Sequence, residues 1–445
     1  MFHRSSARIA ALSVLGAALA AGGGIAAAAP APWPAECPTD LRCEVVPAAH
    51  QQYGPKVEQY GSYWVADRPR ELPVRYVVIH NTEETYADTL KIFTDPKREV
   101  SAHYVVRSAD GHVAQMVRVK DAAWQAGNRA VNFHSVGIEH EGYAAQGDRW
   151  YTEQLYRSSA RVVRQLAARY GFPLDRGHIL GHDTVPARDA ASVRGMHWDP
   201  GPYWDWARYF ELLGAPLPGA GRDGVPRAGQ QVVVNPVFAR NQQTVTICSG
   251  NPVSCAPRTA PSNFLPLFAE PRVDAPRFGD PGLHGPGRPG SDRVSDWGAR
   301  VSTGERFVVA EQRGEWTAVW FAGGRAWFHN PGGRHTARAH GLVIRPRKGV
   351  KVTVYGQTMP EAAAVKPPVT QTPPDSRLTG YALPAGQRYA AYTAPVRSRF
   401  VQLTSIDRSQ PGDGTVVVGN RRYYPIQYHY RLAFVDAAEV EPTTG

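Results

Sequence analysis

Cysteine is scarce in this chain of 445 residues: there are four, in two close pairs, Cys37 with Cys43 and Cys248 with Cys255. A zinc knuckle needs its ligands together, and the long stretch between the pairs makes that the weaker reading. In an exported chain, close pairs most simply form two small disulfide loops. Long apolar runs are also few. Beyond the N-terminus none is apolar enough for a membrane helix, which argues against stable membrane insertion, and Cys37 is not preceded by a small-residue lipidation pattern. There is no exact internal repeat. With 43 glycines, 38 prolines and 42% apolar residues, the composition suits compact β-rich domains joined by turns better than a long helical array, and it argues against a disordered chain.

At the N-terminus, Arg4 and Arg8 precede an apolar run from Ile9 to about Ala21, followed by small residues Ala26 to Ala29. This reads as a secretory signal peptide over residues 1–28, because the run is too short to span a bilayer; the alternative is a retained anchor. The expected location is secreted, extracellular or attached to the cell wall. The net charge is +11 without any concentrated basic arm. An exported basic protein meets anionic cell-wall polymers rather than nucleic acid, while charge kept for solubility alone is an equal reading. The length implies more than one core.

Residues 29–59 read as an irregular, Pro-rich lead-in stapled by the first disulfide. The signals then become regular. VRYVVIH, Val74 to His80, suits a strand buried on both faces. HYVVRSADGHVAQMV reads as a hairpin turning at Ala109-Asp110-Gly111, and SVGIEHEG, Ser135 to Gly142, as another strand. Thr152 caps a helix that places Leu155, Val162, Val163, Leu166 and Tyr170 on one face and stops at Gly171 and Pro173; a shorter helix spans Thr85 to Phe93. Alternating strands and helices predict an α/β domain with a mixed central sheet flanked by helices, over 60–215.

Three residues of this domain suit metal chemistry. His80 ends the buried strand, His182 follows the apolar run in ILGHDTVP, and Asp199 lies in GMHWDPGPYWDW, where Pro200 and Pro202 limit the backbone just after it. Two imidazoles and a carboxylate form a recurrent zinc set in hydrolases, although spacing alone is a weak signal and a histidine at a strand end is more often structural. His178 with His182 is a rival pair, disfavoured because Gly177 and Gly181 argue against a helix there.

The motifs VVIHNT, SAHYVVRSADG, AWQAGN, VGIEHEG, ILGHDTVP and HWDPGPYWDW, in that order, resemble zinc-dependent N-acetylmuramoyl-L-alanine amidases of the type-2 family, relatives of peptidoglycan recognition proteins. The resemblance covers about a third of the chain. It implies that His80, His182 and Asp199 bind zinc, that Glu139 is the general acid/base, and that His197 stands where many relatives have a lysine. Zinc would make water nucleophilic near neutral pH and a carboxylate would shuttle its proton. Glu139 and Glu141 alternate on the strand, so Glu141 is the understudy, and His140 should face the other way. Trp124, Gln125 and Asn132 lie on the segment that lines the groove in relatives, with Gln125 in place of a frequent histidine. His103 reads as structural, and Tyr203, Trp204 and Trp206 as packing that anchors the Asp199 loop.

After a linker at 216–229, aromatic strands separated by turns predict small all-β, barrel-like domains at 230–335 and 340–443. RFVVAEQRGEWTAVWFAGGRAWFHNP gives three strands turning at Arg313-Gly314 and Gly323-Gly324. This block resembles bacterial Src-homology-3-like modules, with Trp316, Trp320 and Trp327 packing the barrel or lining its groove. The expectation is therefore a multidomain zinc amidase with peptidoglycan as its partner. The alternative is a non-catalytic peptidoglycan-binding protein on the same fold; the oligomeric state is not legible.

Overall fold

The computed structural model describes residues 32–250 and 253–444, so the expected signal peptide lies outside the described residues. Six strands form the central sheet: β1 (Cys43–Val45), β2 (Tyr76–Ile79), β3 (Tyr104–Val106), β4 (Val113–Gln115), β5 (Ser135–His140) and β6 (Ile179–Gly181), in the spatial order β1-β4-β3-β5-β2-β6. All neighbours are parallel except the hairpin β3–β4. Alternation along the strands fills two cores. Val77, Ile79, Val136 and Ile138 face one apolar cluster, while Val78 and Val105 face clusters on the opposite side. Burial on both faces is what a parallel sheet needs, and it explains the continuous apolar run of β2.

Helices α1 (Tyr86–Thr94), α2 (Arg129–His134), α3 (Glu153–Tyr170) and α4 (Trp206–Leu213) cover the sheet. The Thr152 side chain accepts from Leu155 N, and Gly171 closes α3 at φ 74°, a left-handed conformation that favours glycine. Leu155, Val162, Val163 and Leu166 are its buried stripe. α4 was not anticipated: Asp205 caps it and Trp206, Tyr209, Phe210 and Leu213 are buried, so Trp206 belongs to a helix rather than to a loop.

The lead-in is not wholly irregular. β1 extends the sheet beyond β4, and Val46 N and Ala48 N continue the pairing to Gln115 O and Met116 O. An unpaired edge of β4 is thereby closed. Both close cysteine pairs are disulfides, Cys37–Cys43 beside β1 and Cys248–Cys255 across an antiparallel hairpin.

Beyond the linker the chain is rich in β structure. Arg306–Arg313, Trp316–Phe321 and Gly324–His329 are the three successive strands expected. Gln231–Val234 lies between Arg306–Arg313 and Thr336–Ala339 in the same five-stranded sheet. The first block thus runs to Ala339, past the expected boundary at 335. Trp327 is buried; Trp316 and Trp320 are partly so. The two blocks are not independent modules: Phe307, Phe321 and Phe328 of the first share one buried apolar cluster with Ile344, Tyr389, Ile426 and Tyr428 of the second, and with Val193 and Tyr203 of the α/β domain. Among the described residues no helix is long and apolar enough to cross a membrane.

Candidate metal centre

Parallel pairing explains how two distant histidines meet. In the β6–β2 register Gly181 is opposite Ile79, so the next residue on each strand, His182 and His80, emerge side by side at the same sheet edge. Their rings lie 4.5 Å apart at 72°. The third donor arrives on the Asp199 loop, whose Asp199 O accepts from Asp183 N at 2.8 Å while Asp199 Oδ2 accepts from Asn81 N at 3.3 Å. The loop is thus stitched to the residue after each histidine.

Asp199 Oδ2 is 3.2 Å from His80 Nδ1, and Asp199 Oδ1 is 3.2 Å from His182 Nδ1. One donor atom from each of the three buried residues lies within 4.8 Å of the others. Neither ring nitrogen of buried His182 makes a hydrogen bond. Buried imidazole nitrogens ordinarily have partners, and two imidazoles beside a carboxylate are a fitting donor set for Zn²⁺. Burial pushes His182 down to about 4, leaving it neutral. Asp199 stays well below the carboxylate range despite burial, through its contacts with His182 and His80. His80 is raised: burial opposes its charge, but the carboxylates of Glu139 and Asp199 outweigh it. Carboxylates gathered beside so few positive groups suit a dication.

Glu139 lies on β5, next to β2 in the sheet. Its buried Oε2 has no hydrogen-bond partner. Burial raises it to about 7; His80 opposes the rise, and Asp199 and Glu83 add to it. A carboxyl group in that range can both take and return a proton near neutral pH. Glu141 is committed elsewhere, accepting from Tyr86 N at 2.9 Å and Ser108 N at 2.7 Å; β5 ends at His140, so strand alternation no longer governs it. His140 does face the other side, bonded to Ser159 Oγ and packed edge-on against Trp204. His197 stands at the mouth with its side chain 71% exposed, Nδ1 3.7 Å from Asp199 Oδ1 and its ring 4.7 Å from that of His182.

Of the residues expected to line a groove, Gln125 and Asn132 are buried and Trp124 is partly exposed. Gln125 is 7% exposed; its Oε1 meets His80 Nε2 at 2.5 Å and its Nε2 donates to Ser135 Oγ at 2.7 Å. It therefore orients the ring of His80. Asn132, 4% exposed, accepts from Gln125 N and Ala126 N and so holds that segment in place. Trp124 packs against Trp64. The motif AWQAGN did not reveal these roles because the segment is irregular and has no periodicity to assign its faces. His103 is structural as expected: fully buried, its Nδ1 accepts from Gly137 N and its Nε2 lies 2.8 Å from buried Arg68.

Over this region the chain is similar to known proteins. The family model for N-acetylmuramoyl-L-alanine amidase matches residues 70–202, a stretch that contains His80, Glu139, His182, His197 and Asp199. N-acetylmuramoyl-L-alanine amidase A of Achromobacter lyticus is 34% identical over 148 residues, 31% of this chain and 81% of that protein. The 1,6-anhydro-N-acetylmuramyl-L-alanine amidase AmpD of Escherichia coli (strain K12) is 36% identical over 121 residues, 26% of this chain and 58% of that protein. A crystal structure of a selenomethionine AmpD derivative aligns with 39% of this chain and 94% of its own, at 27% identity and a TM-score of 0.29. The chain belongs to the N-acetylmuramoyl-L-alanine amidase family. Within that class it is an enzyme, an amidase of peptidoglycan.

Proposed function

We propose that the protein is an exported, zinc-dependent amidase that hydrolyses the amide between the lactyl group of N-acetylmuramic acid and the L-alanine of the stem peptide. The observation that carries this reading is the convergence of His80, His182 and Asp199 on one point beside a largely buried carboxyl group, Glu139.

Zinc held by the three donors would supply Lewis acidity and bring the pKa of water from ~15.7 to about 7. The chain's own groups do the rest. Gln125 fixes the ring of His80 through Nε2. Glu139 takes the proton of the attacking water at its carboxylate and returns it to the departing alanine nitrogen, a shuttle worth about 10²- to 10⁴-fold. His197, exposed at the mouth, would donate to the oxyanion as the carbonyl becomes tetrahedral. Export is supported by the N-terminal segment and by the two disulfides, which persist in oxidising compartments. The β-rich region, with its resemblance to Src-homology-3-like modules, would hold the enzyme on peptidoglycan or anionic wall polymers and raise the local substrate concentration.

The test is metal content together with product chemistry. The purified chain should carry zinc and release free N-terminal alanine from peptidoglycan, and Asp199→Ala should lose both. A zinc-loaded wild-type chain that releases no alanine N-terminus would refute the assigned bond.

A further inference from the structure

The loops that carry the metal donors are held from outside the family-matched region. Arg431, 3% exposed, donates through Nη1 to His182 O at 2.9 Å and Val185 O at 2.7 Å, and through Nη2 to His197 O at 2.7 Å. Asn263 is fully buried. Its Nδ2 donates to Gly201 O and Trp204 O, both at 2.9 Å, and its backbone N donates to Pro202 O at 2.9 Å. Trp297 Nε1 donates to Trp198 O at 3.1 Å. All three residues lie beyond residue 202, where the family match ends.

The chemistry of these contacts is one-sided: donors from the β-rich region meet carbonyls of the α/β domain. A Pro-interrupted loop lacks the N–H groups to build its own ladder, so its shape depends on outside donors. Arg431 does something Asn263 and Trp297 do not. Its planar fork bonds the segment bearing His182 and the segment bearing Asp199 at once, fixing the distance between two of the three donor residues, and a guanidinium fork holds such geometry better than a flexible ammonium group. Nothing local in the sequence marks it, since it lies 249 residues from His182.

We propose that Arg431, supported by Asn263 and Trp297, is a positioning residue of the metal centre, and that the β-rich region is therefore a structural part of the active site as well as an attachment device. The inference rests on the reading that His80, His182 and Asp199 hold zinc. The experiment uses the full chain. Zinc affinity is measured by competition with a chromogenic chelator, and kcat and KM on muropeptides, for wild type, Arg431→Met, Arg431→Lys, Asn263→Ala and Arg129→Met. The last removes a contact between the same two regions, Arg129 Nη2 to Val401 O at 2.8 Å, that does not touch the metal loops. Arg431→Met should weaken zinc binding by about 10- to 100-fold, the usual effect of losing a residue that orients ligands, and should lower kcat with little change in KM. Arg431→Lys should recover part of the loss, and Arg129→Met should bind zinc as wild type does.

Folded Arg431→Met and Asn263→Ala proteins with wild-type zinc affinity would overturn the proposal, as would an equal loss in Arg129→Met. Should Arg431→Met fail to fold, Arg431→Lys and Asn263→Ala decide by the same criterion. A wild-type chain that takes up no zinc would instead sink the metal reading itself, and this inference with it.

Discussion

At the scale of single residues, Glu139 of the candidate centre carries a cost of burial. Its Oε2 is buried without a hydrogen-bond partner, and its pKa is raised from 4.5 to about 7, chiefly by burial. In the unfolded chain the group ionises near 4.5, so between there and about 7 the unfolded state loses its proton first and folding stability falls as pH rises. Glu139→Gln removes that penalty. In chelator-treated protein the variant should melt higher than wild type at pH 8 and close to it at pH 5, as followed by calorimetry; in separately prepared zinc-loaded protein it should retain zinc while turnover falls by about 10²- to 10⁴-fold. Equal melting differences at both pH values would contradict the assignment. Gly137 supports the same centre. A Cβ there would lie 2.7 Å from Gln125 Cγ and 2.8 Å from its Cδ, so Gly137→Ala should displace the partner of His80 and weaken zinc binding by about 10-fold, read by the same chelator competition. His80, Glu139, His182 and Asp199 were legible because strand ends and the family motifs mark them. The inward orientation of Gln125 and Asn132 was not, because it is set by contacts with His80 and with the backbone at 125–126 that no local pattern encodes.

At the scale of elements, legibility followed the strength of the local signal. α3 declares itself through a cap, an amphipathic stripe and a terminal glycine, and each has the expected role. Thr152 caps Leu155 N and also donates to Ser108 O, which ties the helix start to the chain just past β3. Thr152→Ala should destabilise the protein by about 1 to 2 kcal/mol, measured by urea unfolding, with the slope unchanged. β1 escaped notice because three residues carry too little periodicity, and because its partner β4 is recognisable as a sheet edge only once the sheet is assembled. α4 escaped notice because its buried aromatics continue directly from the loop that holds Asp199, so Trp206 reads as part of the same aromatic run. In each case the missing information was tertiary: what a segment packs against decided its conformation more than its own propensity did.

At the scale of the whole molecule, the turn pattern between the two β blocks suggests a boundary, yet the apolar core crosses it. Phe321 is fully buried in the cluster that joins Val319 and Phe328 to Ile344, Ile426 and Tyr428. Tyr428 adds a polar link across the same boundary: its backbone O accepts from Ala322 N at 2.9 Å. Chain order shows where one sheet gives way to the next, but not which faces later share a core. Blocks that bury apolar surface in each other should unfold together, because opening either exposes the other's half of the cluster. Phe321→Ala should therefore cost about 3 to 5 kcal/mol, and hydrogen exchange should show protection falling in parallel over Arg306–Arg313 and Leu432–Asp436. Protection lost in the first segment and retained in the second would mean that the blocks fold independently. Since Arg431 immediately precedes the second segment, a common opening would also release its hold on the loops of His182 and Asp199, and in the Phe321→Ala variant zinc loss and block unfolding should share one midpoint in urea.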